Sequence, residues 1–588
     1  MKRLFFATAL CTACWSTSAV AQTARLSDAQ TARFADDGGI ARVDKLRSAF
    51  PEIEKVFERY HTARKTPGSS WGIVIDGQLL YTKTFGVREK QTNSPVSPDT
   101  AFRIASMTKS FTAAAVLKLR DEGKLSLDDK LEKWIPAFKN YKYPSTDSEA
   151  ITIRHILSHS AGFPEDNPWG DRQMGEPLSS LDEWVKKGIP FSTTPGTTYE
   201  YSNYGFALAG EVVARASGMP YRQYVESKIL KPLGMNSSSL EPGALPAGAR
   251  ATGYGLRGNE EYFEIPSLKH GSFGSMGGLV TTANDLAKWV AFQLDAFPPR
   301  DSKDSPVLSR ASRREMQKLW RAGNLAVDRE PRLRATSGGY GYGLGVSQDC
   351  RFAHIIGHGG GLPGFGSYMM WLPEYGVGMI AMTNLTYSAP SQALSEAFDI
   401  LQRTGALQPR ILPPSPVLTS TRDAIAGLWN KWDDAKLEKI AANNLLMDLS
   451  AANRRQDMEE VRKQVGSSCS NPGAVVPENL LRGEFRMSCD KGEVEISFTL
   501  APTNPPTVQF LNFRPIVTPS AALQALLDQT ASKAGCQLTK LLGGNGTRVS
   551  VGLMECASGQ QGMVTAQIDT NGKETVQVRR APGARCAP

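Results

Sequence analysis

The chain has 588 residues, of which 41% are hydrophobic and 21% charged, and a formal net charge of +9 at pH 7. This length predicts several domains. The positive charges are spread out, without a long basic run or a basic helix, and no segment after the N-terminal region is apolar over the length of a bilayer span. The composition therefore argues against nucleic-acid binding and against stable membrane insertion.

The first 21 residues have the organisation of a secretory signal peptide. Met1 to Arg3 is basic, apolar and small residues follow to about Ser18, and Ala19 and Ala21 form a small-x-small cleavage site. The apolar part is too short to cross a bilayer. We predict cleavage near Ala21 and a mature chain that is periplasmic or secreted.

Residues 22–407 are predicted to form one domain that contains an antiparallel sheet built from both of its ends. Gly72–Gly86 holds two apolar segments around an Asp-Gly turn, which is typical of a hairpin. Strand-like segments recur near the end of the domain, followed by a helix from Ser391 to about Gln402, and helical patterns lie between the two strand-rich ends. This order indicates a sheet beside a helical region, with a cleft between them.

The first candidate for chemistry is Ser106-Met107-Thr108-Lys109. The apolar residues that follow recur at helical spacing, so Lys109 lies on the same helix face as Ser106. A serine at a helix start lies among unpaired N–H groups that favour negative charge. The spacing predicts a nucleophile, a base and half of an oxyanion hole. Taken alone, the pattern also fits a solvated helix face.

The second candidate is Tyr201-Ser202-Asn203, a predicted turn that leads into a helix. A tyrosine beside Lys109 would feel a positive charge, which favours the phenolate and lowers the tyrosine pKa. It would then relay protons between Ser106 and a leaving amine. In the structural alternative, Tyr201 packs and Asn203 caps the helix.

The third candidate is the segment 355–366, predicted as a strand that runs into a glycine-rich turn. His358 is followed there by three glycines, which allow a backbone to approach a ligand closely. The N–H of Gly361 would complete an oxyanion hole with the N–H of Ser106. One such donor contributes on the order of 3 kcal/mol to transition-state stabilisation.

Beyond a proline-rich linker at 408–416, two modules are predicted, 417–515 and 516–588. Cys469 and Cys489 are 20 residues apart, and a second pair with the same separation lies 67 residues later, at Cys536 and Cys556. We predict a duplicated unit of a helix, a cysteine and strands, with one disulfide in each pair. Two more cysteines, Cys350 and Cys586, would bridge the domains or stay free.

Ser-x-x-Lys, Tyr-Ser-Asn and His-Gly-Gly in this order resemble the serine β-lactamase and penicillin-binding protein superfamily. The similarity is to its class C β-lactamase and D-Ala-D-Ala carboxypeptidase branch, which also contains D-aminopeptidases and lactamase-like esterases. It covers roughly residues 46–405. The resemblance implies an α/β fold of the β-lactamase/transpeptidase type, an antiparallel sheet with a helical region. The C-terminal disulfide-stapled α+β repeats lie outside it.

The resemblance also implies a role for each motif residue. Ser106 attacks a carbonyl and forms an acyl-enzyme, which water hydrolyses. Lys109 and Tyr201 share the acid–base work, and Asn203 holds the substrate and orients Lys109. The N–H groups of Ser106 and Gly361 bind the oxyanion. The expected partner is a small molecule, a β-lactam, a D-amino-acid peptide or an ester, and no cofactor or metal is expected.

The third motif departs from the β-lactamase pattern, in which Lys-Thr-Gly occupies the place of His358, Gly359 and Gly360. A lysine is a fixed charge for a substrate carboxylate, whereas a histidine with a pKa of about 6.5 is only partly charged at neutral pH. We expect His358, Gly360 and Gly361 to line the substrate site, and carboxylate binding to be weaker and pH-dependent. Amide bonds of β-lactams or of D-amino-acid (cell-wall) peptides are the first predicted substrates, and small esters the second.

Two other classes of function stay open. A metal-dependent β-lactam hydrolase would need about three protein ligands; the pairs His155/His159 and His354/His358 have helical spacing, but no H-E-x-x-H or H-x-H-x-D pattern accompanies them. A non-catalytic protein that binds or senses cell-wall peptides or β-lactams would use the C-terminal modules. The three intact motifs argue against that alternative, and turnover lost in Ser106→Ala would exclude it.

Overall fold

The computed structural model describes residues 39–166, 170–258, 261–328, 334–349, 351–556 and 561–580. The predicted signal peptide, Cys350 and Cys586 lie outside these residues. No helix within the described ranges is long and apolar enough to cross a membrane.

The helices are numbered in chain order. They are α1 (Gly39–Arg47), α2 (Phe50–Ala63), α3 (Thr108–Asp121), α4 (Leu131–Trp134), α5 (Ile153–Leu157), α6 (Leu178–Lys187), α7 (Asn203–Ser217), α8 (Tyr221–Val225), α9 (Gly274–Gly277), α10 (Ala283–Leu294), α11 (Arg310–Met316), α12 (Ser391–Arg403), α13 (Pro416–Asn430), α14 (Asp434–Ile440), α15 (Asn443–Asp448), α16 (Ala451–Val465) and α17 (Ala521–Lys533). Short 3₁₀ turns include Ala105–Met107 and Asp171–Gln173.

The strands are numbered in the same way. They are β1 (Gly68–Ile75), β2 (Gln78–Glu89), β3 (Ser94–Pro95), β4 (Phe102–Arg103), β5 (Gly253–Arg257), β6 (Glu261–Ile265), β7 (Val280–Thr281), β8 (Arg321–Asp328), β9 (Arg334–Tyr340), β10 (Gly345–Gln348), β11 (Ile355–Leu362), β12 (Phe365–Leu372), β13 (Val377–Thr383), β14 (Val476–Asn479), β15 (Arg482–Cys489), β16 (Gly492–Ala501), β17 (Thr507–Val517), β18 (Cys536–Gly544), β19 (Val549–Cys556), β20 (Gln561–Ile568) and β21 (Glu574–Arg580).

The largest sheet joins the two ends of the first domain, as predicted. Its strand order is β3-β2-β1-β13-β12-β11-β10-β9-β8, and the neighbours are antiparallel. The predicted hairpin is present, and both turn residues have left-handed φ angles, +49° at Asp76 and +80° at Gly77. Asp-Gly favours this conformation, in which the turn twist matches the strand twist. The predicted fold class is therefore confirmed.

The central strands are covered on both faces, which explains why β1 is buried along its whole length. Trp71 and Ile73 pack with Phe57 of α2 on one face, and Val74 packs in the cluster that contains Trp289 of α10 on the other. This alternation follows the two-residue period of a strand. The cluster that contains Trp289 also buries nearly all of α3, so the helix that follows Ser106 is fixed in the protein core.

The C-terminal region consists of helices and two four-stranded antiparallel sheets, β14-β15-β16-β17 and β18-β19-β20-β21. A helix precedes each sheet, α16 the first and α17 the second. The disulfides Cys469–Cys489 and Cys536–Cys556 are present as predicted, and each joins facing residues of antiparallel segments. Closing a loop of this length stabilises the fold by about 3 kcal/mol.

The connection at 408–416 is held against the first domain. The buried guanidinium of Arg410 donates hydrogen bonds to the carbonyl oxygens of Leu294 and Pro373, both at 2.8 Å. Ser415 caps α13 by accepting the N–H of Leu418. The strand β17 continues to Val517, so residues 518–520 connect it to α17. The domain boundaries themselves stay predictions.

Candidate active site

Ser106 lies in the 3₁₀ turn Ala105–Met107, between the short strand β4 and the helix α3. The α-helix itself begins two residues after Ser106. Ala105 has a φ of +49°, a conformation that costs a non-glycine residue on the order of 1 kcal/mol or more. The Thr108 hydroxyl donates to the Ala105 carbonyl at 2.7 Å and secures the turn. The strained backbone is therefore directly next to the serine.

Lys109 is fully buried, and its Nζ has three polar neighbours. It lies 3.0 Å from Ser106 Oγ, 2.6 Å from Asn203 Oδ1 and 2.9 Å from the carbonyl oxygen of Met276. Burial lowers the pKa of Lys109 to about 7, although the carboxylates of Asp171 and Asp166 oppose the shift. The uncharged amine is therefore well populated near neutral pH.

The three neighbours determine where the lone pair of that amine points. An amide oxygen and a carbonyl oxygen only accept hydrogen bonds, so the two N–H bonds of a neutral Lys109 go to Asn203 and Met276. The lone pair is left for Ser106, whose hydroxyl donates to it. The geometry fits a general base that is ready to take the proton of Ser106.

The ring of Tyr201 is close to Lys109: its centroid lies 4.9 Å from Lys109 Nζ. The prediction of a lowered tyrosine pKa was wrong. Burial raises the pKa of Tyr201 well above its ordinary value, the charges of Asp171 and Asp166 add to the rise, and a hydrogen bond with Ser106 offsets it only in part. Tyr201 therefore stays protonated and is a donor, because burial disfavours the charged phenolate.

Asn203 is the first residue of α7, and Ser202, rather than Asn203, is the N-cap. The Ser202 hydroxyl accepts the N–H of Gly205 at 3.2 Å. The buried carboxylate of Asp166 accepts the N–H groups of Asn203 and Tyr204, both at 2.7 Å. These bonds fix the helix start, and the side-chain oxygen of Asn203 is directed at Lys109.

His358 lies on β11 and is buried. Its Nδ1 is 2.6 Å from the carbonyl oxygen of Gly359, and its Nε2 is 2.6 Å from the hydroxyl of Tyr340. A carbonyl only accepts, so Nδ1 carries the proton and the Tyr340 hydroxyl donates to Nε2. Burial and the charge of Lys109 lower the pKa of His358 to about 3. The expected pH-dependent anchor for a carboxylate was therefore wrong, because this ring is neutral.

The glycines after His358 lie inside β11, and the turn that was predicted there comes later, at Pro363 and Gly364. A side chain at Gly360 would overlap the carbonyl oxygen of Ile104, which leads into the Ser106 turn. Gly361 faces Gly366 of β12, one position before the Leu362–Phe365 pair that closes the hairpin. Facing pairs in an antiparallel ladder alternate between hydrogen-bonded and non-hydrogen-bonded. The Leu362–Phe365 pair next to the turn is hydrogen-bonded, so the Gly361–Gly366 pair is not, and the N–H of Gly361 points away from β12.

The other three histidines of the two spaced pairs have structural contacts. Thr152 and His155 form a capping box at α5, and the N–H of Ser202 donates to His159 Nδ1 at 3.1 Å. His354 Nε2 is 2.8 Å from the carbonyl oxygen of Gln317. Among the residues that the structure describes, no group of three His, Cys, Asp or Glu side chains is placed to hold a metal ion.

Sequence reasoning missed Met276, Tyr340, Asp166, Asp171 and Tyr387. Asp171 accepts a hydrogen bond from the Tyr387 hydroxyl at 2.9 Å, and burial raises its pKa to about 6. None of these residues belongs to a recognisable motif. Each contributes through a contact with a residue 18 or more positions away in the chain, which motif spacing does not reveal.

Among known protein families, the family model described as Beta-lactamase matches residues 53–403. Protein flp of Staphylococcus aureus (strain N315) is 29% identical over 337 residues, which cover 57% of this chain and 63% of that protein. Unguisins hydrolase ungD' of Aspergillus campestris is 29% identical over 357 residues, 59% of this chain and 63% of that protein. The match thus covers less than two thirds of the length of these relatives, 63% of each. An octameric penicillin-binding protein homologue from Pyrococcus abyssi shares 22% identity at a TM-score of 0.49, covering 90% of this chain and 98% of that one.

Proposed function

The chain belongs to the Beta-lactamase family, and from this premise we propose that it is a serine hydrolase that works through an acyl-enzyme. The observation that carries the proposal is the set of three contacts at Lys109 Nζ, two with oxygens that only accept and one with Ser106 Oγ. This set leaves a lone pair for the serine proton. A serine so placed is an activated nucleophile.

In the proposed reaction, Lys109 takes the proton of Ser106 as Oγ attacks the substrate carbonyl carbon. The N–H groups of Ser106 and Gly361 stabilise the oxyanion. As the carbon–leaving-group bond breaks, Tyr201 donates its proton to the leaving group and regains one from the ammonium of Lys109. A water molecule then attacks the ester carbonyl carbon, and Lys109 takes a proton from that water. As the bond to Ser106 Oγ breaks, Lys109 returns the proton to Oγ, which releases the acid and restores the serine hydroxyl and the neutral amine.

The neutral state of His358 bears on the substrate. A fixed lysine charge at this position would bind a carboxylate. The neutral ring of His358 is already hydrogen-bonded to Tyr340 and Gly359, and it provides no positive charge for a carboxylate. Asp166 and Asp171 add negative charge near Lys109. We therefore propose esters and amides without a carboxylate on the leaving side as the preferred substrates.

Hydrolysis of β-lactams or of D-amino-acid cell-wall peptides is the second candidate. Membership of the family supports it, and so do the two disulfides, which are typical of proteins that fold outside the cytoplasm. A periplasmic or secreted location after cleavage near Ala21 is part of this proposal. A relative named as a hydrolase supports catalysis over a purely binding role.

The test is turnover by the full chain of p-nitrophenyl acetate, a D-alanine anilide and a chromogenic cephalosporin, with the intact mass followed over time. Ser106→Ala should lose on the order of 10⁴-fold or more in rate and form no covalent adduct. Ser110→Ala is the matched control, because Ser110 is buried on the same helix and its hydroxyl donates only to Met107. Equal turnover by the wild type and Ser106→Ala would overturn the proposal.

A further inference from the structure

One side chain crosses the cleft from the sheet to the helical region. Tyr387 lies between β13 and α12, and its hydroxyl donates to Asp171 Oδ2 at 2.9 Å. On the way, its ring lies against Gly361, where an added Cβ would come within 2.5 Å of Tyr387 Cδ1. The side chain thus joins the strand of the proposed oxyanion hole to the opposite wall.

The backbone holds this tyrosine in a fixed place. Tyr387 has a φ of +49°, which is rare and strained for an aromatic residue. Its N–H is shared between the carbonyl oxygens of Leu362 and Phe365, at 3.4 and 3.1 Å, and the Thr386 hydroxyl accepts the N–H of Gly364 at 2.8 Å. The loop is therefore fastened to the β11–β12 hairpin that contains Gly361.

The hydrogen-bonded pair Tyr387–Asp171 forms a bridge across the cleft, and its two residues differ in exposure. Asp171 is 3% exposed, whereas Tyr387 is 53% exposed. A buried carboxylate needs hydrogen-bond partners, and the Tyr387 hydroxyl supplies one. The ring is left at the mouth of the cleft, where a bound substrate would meet it.

The bridge lies on the acyl side of the proposed reaction. Tyr201, the proposed proton donor to the leaving group, has its ring centroid 6.5 Å from that of His358, and we assign the leaving group to this side of Ser106. The Tyr387 hydroxyl ends at Asp171, and the preceding residue, Gly170, packs against Asn203: a Cβ added at Gly170 would be 3.1 Å from the Asn203 Cβ. With the leaving group on the His358 side, the acyl chain of a carbonyl bound at Gly361 would extend past Asn203 toward Tyr387.

We propose that Tyr387 determines acyl-chain specificity: its ring, fixed by the hydrogen bond to Asp171, closes the acyl end of the cleft and restricts substrates to short acyl groups. This inference rests on the proposed function, because it concerns the group that Ser106 would receive. Tyr387 acts on the choice of substrate and takes no part in proton transfer.

The experiment compares p-nitrophenyl acetate, butyrate and hexanoate, which share one leaving group. Tyr387→Gly removes the ring, and glycine adopts a φ of +49° without strain. Tyr387→Phe keeps the ring and removes the hydrogen bond. We expect the hexanoate-to-acetate ratio of kcat/KM to rise about 10-fold or more in Tyr387→Gly and by a smaller factor in Tyr387→Phe.

Tyr262→Phe is the control, since it removes a tyrosine hydroxyl that donates to the carbonyl of Lys65, in the connection between α2 and β1. Its ratio should equal that of the wild type. Ratios within about twofold of the wild type in both Tyr387 variants, with turnover that still depends on Ser106, would overturn the inference alone. Absence of Ser106-dependent turnover of any of the three esters by the wild type would overturn the proposed function and this inference together.

Discussion

The hydroxyl of Tyr340 donates to Nε2 of His358 across 2.6 Å, while Nδ1 of the same ring donates to the Gly359 carbonyl. Both ring nitrogens are thus used inside the protein. The position that is lysine in most β-lactamases is here a buried, neutral side chain with a fixed tautomer. The Tyr340–His358 pair thus leaves the site without a positive charge at this position for a substrate carboxylate.

The first prediction concerns the pH dependence of substrate preference. With a pKa of about 3, His358 is neutral above that value, so His358→Gln should leave unchanged the pH profile, between about pH 5 and pH 8, of the kcat/KM ratio of a carboxylate-bearing cephalosporin to a neutral ester. Any slope of that profile comes from Asp171 and Lys109, whose pKa values are about 6 and about 7. The same ratio measured in Tyr340→Phe shows whether the hydrogen bond from the Tyr340 hydroxyl is needed to keep His358 neutral. A step near pH 6 that is present in the wild-type ratio and absent in His358→Gln would show that His358 titrates as an ordinary histidine.

The second prediction concerns the base. Because burial lowers the pKa of Lys109 to about 7, kcat/KM for p-nitrophenyl acetate should rise with pH through about 7 as the ammonium loses its proton, and it should fall below that pH. Lys109→Arg keeps a cation that does not deprotonate, and it should lower the rate about 10³-fold or more at every pH. A rate that is flat from about pH 5 to pH 9 would contradict Lys109 as the base.

The third prediction concerns Tyr201 as a proton donor. Its pKa is raised well above the ordinary value, so it stays protonated and serves poor leaving groups. Tyr201→Phe should lower anilide hydrolysis by about 10²- to 10⁴-fold. Hydrolysis of the p-nitrophenyl ester, whose leaving group needs no proton, should fall by less than about 10-fold. Equal losses for both substrates would point to a role in positioning instead.

The fourth prediction concerns the closeness of β11 to the Ser106 turn. Gly360→Ala would force a methyl group into the carbonyl of Ile104, and we expect it to lower the free energy of unfolding by about 2 kcal/mol or more. Gly248→Ala makes the same change where no atom lies within 4 Å of the new Cβ, and it should change stability by less than about 0.5 kcal/mol. Thermal unfolding of both variants measures the difference, and equal stability would contradict the close approach.

Much of the fold follows from local pattern. The Asp76-Gly77 turn, the strands near both ends of the first domain and the helix after Ser106 could be recognised because period-two and period-3.6 apolar spacing is a property of a few neighbouring residues. The cysteine pairs were equally visible, since their equal separations repeat. The glycines of the third motif were placed wrongly in a turn, because three successive glycines favour a loop by propensity while pairing with β12 holds them in a strand.

The sequence by itself determined the Ser106–Lys109 spacing, the order of the three motifs and the antiparallel architecture, because helix geometry and hydrophobic periodicity act over short stretches of chain. Only the tertiary structure decided the protonation states. Asn203 and Met276 reach Lys109 from 94 and 167 residues away, and Asp171 meets Tyr387 across 216 residues. A pKa depends on which charges and dipoles replace water around a group, and folding alone brings those distant groups together.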